Sequence, residues 1–261
     1  MRRLEKREGV KYRIIFSWFL ILKGLRMNEE QRAAKLDFIG AFFRDVDKRT
    51  GRLRTMIDQG FTEEAVILAC CYIDSVAAFR YNKDYADRKD FIRIIFEYSG
   101  RKTEFCRISW INLYKRGKDV SAQEAAGKPI AGYEEIKATL LSLYGKECDC
   151  NKEMDKEALM AYLRQQGLRL DWKNLESNLD NFSYAAVLFE NYRSRGVHSG
   201  RIATKWNVAG PVFDKSHDGE DIYYDGNIPY FSKEIILEVL TNIGQNLRTL
   251  CMDECKFPHE L

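Results

Sequence analysis

Proline is nearly missing from this chain, with four in 261 residues. Together with long apolar stripes at helical spacing, that scarcity argues against a sandwich or barrel and for a mainly helical protein. Long hydrophobic runs are also lacking. The run Ile14 to Leu22 falls far short of the about 20 residues a membrane-spanning helix needs, so no membrane association is expected. A disulfide framework is excluded by the odd count of seven cysteines, Cys70, Cys71, Cys106, Cys148, Cys150, Cys251 and Cys255, which read as reduced thiols of a cytoplasmic protein. The pairs Cys148/Cys150 and Cys251/Cys255 lack zinc-ribbon spacing, and Asp and Gly around His217 are ordinary turn residues, so neither a metal nor a cofactor is expected. No repeat, low-complexity segment or domain linker is present.

What is there is an ordinary globular composition, 45% apolar and 31% charged, able to bury a core. The net charge of +3 conceals an asymmetry. Residues 1–116 hold 25 Lys and Arg against 16 Asp and Glu, leaving the remainder net acidic. A polyanion such as RNA and a solvated basic helix face both account for that excess.

Residues 1–26 begin basic, with Arg2, Arg3, Lys6 and Arg7, and continue into the short apolar run. This imitates a signal peptide, but Lys23-Gly24-Leu25-Arg26 is not a small-residue cleavage site. The favoured reading is a translation start at Met27; an amphipathic surface segment and a poorly cleaved signal are the alternatives. Residues 27–261 read as a single helical domain.

Asn28 is placed to cap a helix whose first turn carries Glu29 and Glu30. Leu36, Ile39, Phe43, Val46, Thr50, Leu53 and Ile57 form its inward stripe, Gly51 threatens to bend it, and Gly60 ends it. Lys48, Arg49 and Arg52 make its middle basic and are candidate RNA contacts. A second helix runs from Thr62 to Arg80 and carries Asp74 on an otherwise apolar face. A buried carboxylate needs a partner, which Arg193, another basic side chain, a backbone group or a hydroxyl could supply. Helical pattern follows over Arg88 to Tyr98 and Thr103 to Arg116. An exposed connection over 117–132 leads to shorter helices at Tyr133 to Tyr144 and Met154 to Gln166, so 117–170 reads as a helical insertion. Leu175, Leu179, Phe182, Ala186 and Phe189 mark the next helix, an antiparallel β-hairpin is expected within 203–231, and Ser232 caps the last helix.

Continuing that stripe by four residues from Phe189 reaches Arg193, an arginine on a buried face. His198 lies five residues further on, about 140° away on an unbroken helix. The two would meet if Gly196 stops the helix in the left-handed conformation, or if a two-fold dimer brings a second copy opposite.

The hexapeptide Arg193-Ser194-Arg195-Gly196-Val197-His198 resembles the Arg-x4-6-His motif of the HEPN superfamily, with the polar Ser194 after the arginine, as is frequent there. Neither other histidine has an arginine at that distance. The resemblance implies a helical bundle, here with a helical insertion and a small hairpin, usually a homodimer. It implies a metal-independent endoribonuclease of toxin–antitoxin or antiviral-defence context, with an antitoxin or immunity protein as a further partner. By the same resemblance Arg193 and His198 are catalytic. Asp74, Glu190 and Ser194 are expected in support, and Arg195 and Arg201 on the RNA backbone. Members modified by a nucleotidyltransferase carry a tyrosine four residues after the histidine; Ile202 stands there, so that control is not expected.

The chemistry suits these side chains in its own right. Histidine titrates near neutrality and can take the ribose 2′-OH proton or protonate the leaving group, while the arginine fork holds two phosphate oxygens. A catalytically silent module binding RNA, nucleotide or protein is the alternative. So is a purely structural role, with Arg193 satisfying carboxylates and His198 a carbonyl.

Overall fold

A computed structural model describes residues 27–116, 130, 132–145, 150–194, 196–197, 221–225 and 228–261. The fold is mainly helical, with a small two-stranded antiparallel hairpin before the final helix.

Helix α1 (Glu29–Asp58) starts as expected. The Asn28 side chain accepts from Gln31 N–H at 2.8 Å, and the Gln31 side chain accepts from Asn28 N–H at 3.1 Å. Gly51 does not break it. Thr50 substitutes for an apolar residue in the buried stripe by donating its hydroxyl to the Val46 carbonyl at 3.1 Å. Gly60, at φ +88°, turns the chain into α2 (Thr62–Arg80).

Helix α3 (Arg88–Tyr98) is closed by a capping box between Asp87 and Asp90. Where one helix is expected over Thr103 to Arg116, there are two, α4 (Lys102–Phe105) and α5 (Trp110–Arg116). The reason lies in the backbone between them. Ile108 N–H donates to Met154 O, Ser109 N–H donates to Phe182 O, and Arg107 O accepts from Tyr184 N–H, all within 2.9 Å. Those groups are spent on remote segments and cannot close an i to i−4 ladder.

Helices α6 (Tyr133–Tyr144), α7 (Lys156–Gln165) and α8 (Trp172–Leu179) follow. With α5 they enclose a second core containing Ile108, Leu113, Ile136, Leu140, Leu163 and Leu175. That core reaches from Ile108 to Phe182, beyond both ends of the insertion expected over 117–170.

The stripe expected to run from Leu175 through Phe189 is also divided. After the 3-10 turn Asp180–Phe182, Ser183 adopts ψ 158° and caps a new helix, α9 (Tyr184–Leu188), accepting from Ala186 N–H. Leu175, Leu179 and Phe182 therefore face the second core, whereas Ala186 is buried in the main one. A π-helical turn, Phe189–Ser194, follows directly. Strands β1 (Ile222–Asp225) and β2 (Ile228–Phe231) pair with Ile222 opposite Phe231; the expected earlier part of the hairpin, from 203, lies outside the described residues.

Ser232 caps α10 (Lys233–Glu254), its hydroxyl accepting from Ile235 N–H. Helices α1, α2 and α10 pack mutually, and α3, α9 and the π turn close the main core around Phe43, Ile73, Phe91, Tyr184 and Leu240. Among the described residues, no helix is long and apolar enough to cross a membrane.

Candidate functional site

Asp74 faces inward from α2, where Arg193 on the π turn meets it: Arg193 Nη2 lies 2.8 Å from Asp74 Oδ2. The guanidinium also sits 5.4 Å from the centre of the Phe189 ring, which packs edge-on against Phe91. Burial pushes the Asp74 carboxyl above its ordinary range, and the hydrogen bond and charge of Arg193 oppose that shift. Asp74 Oδ1 and Arg193 Nε are buried and make no hydrogen bond among the described residues.

Three neighbouring elements grip the π turn. Arg193 ties it to α2, Tyr192 accepts from Phe231 N–H of β2 at 3.0 Å, and Glu190 lies 3.7 Å from Arg88 of α3. Glu190 is thus engaged with Arg88, whose Nη2 also donates to Asn181 O at 2.6 Å. Ser194 ends the turn, half-buried. Turns of this type occur mostly as single insertions within helices, frequently at functional sites.

Gly196 does not take the left-handed conformation expected of a helix stop. It is helical, as is Val197, and its glycine identity has a packing cause. A Cβ there would lie 2.8 Å from Ile67 Cγ1 of α2. His198, Arg195 and Arg201 lie outside the described residues, as do residues 1–26, Cys148 and His217.

Comparison of the chain with family models, curated proteins and solved structures gave no match. The site therefore rests on its own geometry.

Lys48, Arg49 and Arg52 are exposed on α1, and Arg49 bonds Asp45 at 2.8 Å and lies over Tyr72. Tyr72 and Asp74 point about 160° apart round α2, so the basic face and the Arg193 pair are on different sides of that helix. The thiols near the pair are poor nucleophiles. Burial raises Cys70 well above its usual value, and it raises Cys71 despite the opposing charge of Arg193. No cluster of His, Cys, Asp and Glu able to hold a metal occurs among the described residues.

One polar centre escapes the sequence reading altogether. Glu153, 5% exposed, accepts from Trp110 N–H at 2.8 Å, from the Tyr224 hydroxyl at 2.6 Å and from the Tyr184 hydroxyl. It joins α5, α9 and β1 where the two cores meet. Burial pushes its carboxyl up to about 7, against the hydrogen bonds from Tyr184, Tyr224 and Trp110 N–H and the charge of Arg107. Glu153 follows Cys150-Asn151-Lys152 in a polar stretch that reads as a surface turn, and no local spacing marks it as buried.

Proposed function

We propose that this chain is a metal-independent endoribonuclease of HEPN type, acting in the cytoplasm as a homodimer in a toxin or antiviral-defence setting. The observation that carries the reading is an inward-facing arginine on a π turn, held by a carboxylate of the second helix, five residues before a histidine.

Arginine has five N–H donors, and the bond to Asp74 uses one of them. In the proposed reaction Arg193 clamps the scissile phosphate and offsets negative charge growing at its oxygens. His198 takes the 2′-OH proton. The 2′ oxygen then attacks phosphorus as the bond to the 5′ oxygen breaks, and that oxygen takes a proton from the imidazolium of the partner's His198 as it leaves. The products are a 2′,3′-cyclic phosphate and a 5′-OH. Asp74 orients the guanidinium, and Arg195 and Arg201 contact the RNA backbone.

Asp74 also favours a second reading. A guanidinium already paired with a carboxylate is partly neutralised, which suits a catalytically silent module that binds RNA, nucleotide or a protein partner. Incubating the protein and its Arg193→Ala and His198→Ala variants with mixed RNA in EDTA separates the two. Cleavage lost in both variants supports the nuclease, binding without cleavage by the parent protein supports the silent module, and cleavage that needs a metal contradicts the mechanism.

A further inference from the structure

A cleft of about 220 Å³ opens between α1 and α2, on the side of α2 away from Asp74. Phe42, Tyr72 and Phe79 supply aromatic walls, and Asp45, Arg49 and Ser75 the polar rim. Phe42 and Phe79 are stacked at 4.6 Å between centroids, while the Arg49 guanidinium lies 5.3 Å from the centre of the Tyr72 ring. Arg44, Lys48 and Arg52 recur every four residues along the exposed face of α1, one line of cations in the helical row next to Asp45 and Arg49, with the Arg44 guanidinium lying near Gly40. No carboxylate is within ion-pair distance of these three among the described residues; Asp45 bonds Arg49 and Asp47 bonds Arg248.

We infer that this cleft is a binding site for single-stranded nucleic acid, stacking one unpaired base on the Tyr72 ring as Arg49 moves onto a phosphate, while the line of Arg44, Lys48 and Arg52 takes the adjoining phosphates. Size limits the occupant. Pockets for drug-sized ligands begin at about 300 Å³, so this one suits a single ring system rather than a whole nucleotide. Charge selects it further. Asp45 balances Arg49 at the rim, so the excess positive charge is that of Arg44, Lys48 and Arg52, which favours a neutral base carried on an anionic backbone over a cationic side chain. The Arg49–Asp45 pair is an exposed i,i+4 pair of the kind that contributes little, so Arg49 is readily exchanged onto a phosphate. The site shares only its class of ligand with the proposed ribonuclease, because binding here needs neither Arg193 nor a 2′-OH.

The test uses the full chain and a fluorescein-labelled twelve-residue oligodeoxyadenylate, about the length one single-strand binding groove covers. Lacking a 2′-OH, this probe cannot be cut by the proposed chemistry. Fluorescence anisotropy is expected to show binding that the same oligomer in duplex form, or polyglutamate, competes for poorly. Tyr72→Ala and Arg49→Ala are each expected to weaken it roughly tenfold, the scale of one lost base stack, with Tyr72→Phe retaining affinity. The triple substitution of Arg44, Lys48 and Arg52 by Ala is expected to lower the slope of log affinity against log salt by about 2, at about 0.7 per phosphate contact. No binding of the single strand, equal binding by Arg49→Ala and the parent protein, or preference for duplex or polyglutamate would overturn the proposal. Binding that depends on the cleft in a protein that cleaves no RNA would leave this site standing and remove the nuclease reading alone.

Discussion

The Arg193 guanidinium and the Asp74 carboxylate, 119 positions apart in the chain, meet at 2.8 Å and fasten the π turn to α2. The side chains are 25% and 12% exposed, between the surface pairs that contribute little and the buried ones whose rupture is severe. A double-mutant cycle with Asp74→Ala and Arg193→Ala, read by urea unfolding, is expected to give a coupling energy of about 1 to 2 kcal/mol. Strictly additive losses would show that the pair does not hold the turn.

Glu153 makes stability depend on pH. Its folded-state value of about 7 lies above the ordinary 4.5, so its contribution is fully present below pH 4.5 and is lost as pH rises through 7. The shift corresponds to at most about 3 kcal/mol. Unfolding free energies measured between pH 4.5 and 7.5 are expected to fall over that window in the parent protein and to be flatter in Glu153→Gln. Identical slopes would exclude Glu153 as the source.

Gly196→Ala separates packing from helix propensity. Alanine normally stabilises a helix relative to glycine, but here its methyl group would meet Ile67 Cγ1 at 2.8 Å. A loss of about 1 to 3 kcal/mol is expected, partly recovered when Ile67→Ala, which removes both γ carbons, is added. A stabilised Gly196→Ala protein would contradict the close approach of that glycine to α2.

The features legible in the sequence are the local ones. Asn28, Gly60 and Ser232 mark helix ends because caps and left-handed turns are made by residues adjacent in the chain, and the stripes at Ile39, Phe43 and Leu53 face the core as their spacing requires. The break between α4 and α5 was hidden because Ile108 and Ser109 donate to Met154 and Phe182, partners no local window contains. Ser183 carried a readable capping signal within Asn-Phe-Ser-Tyr. It divides the one helix expected from the Leu175-to-Phe189 stripe into two that serve different cores. Arg193 still lies beside Phe189, as the four-residue step requires, and Asp74 was visible as a carboxylate on an apolar face. That the two meet was one option among several, since the sequence does not orient α2 against the π turn. Glu153 left no trace because its three donors come from Trp110, Tyr184 and Tyr224, each on a different element.

The most direct measurement is the end chemistry and rate of RNA cleavage by the purified full chain in EDTA, compared with Arg193→Ala and His198→Ala. The account predicts fragments ending in 2′,3′-cyclic phosphate and beginning with 5′-OH, and a rate at least about a hundredfold lower in His198→Ala, the smallest effect expected on losing a general base. Cleavage that persists undiminished in both variants, or that appears only when a divalent metal is restored, would contradict it.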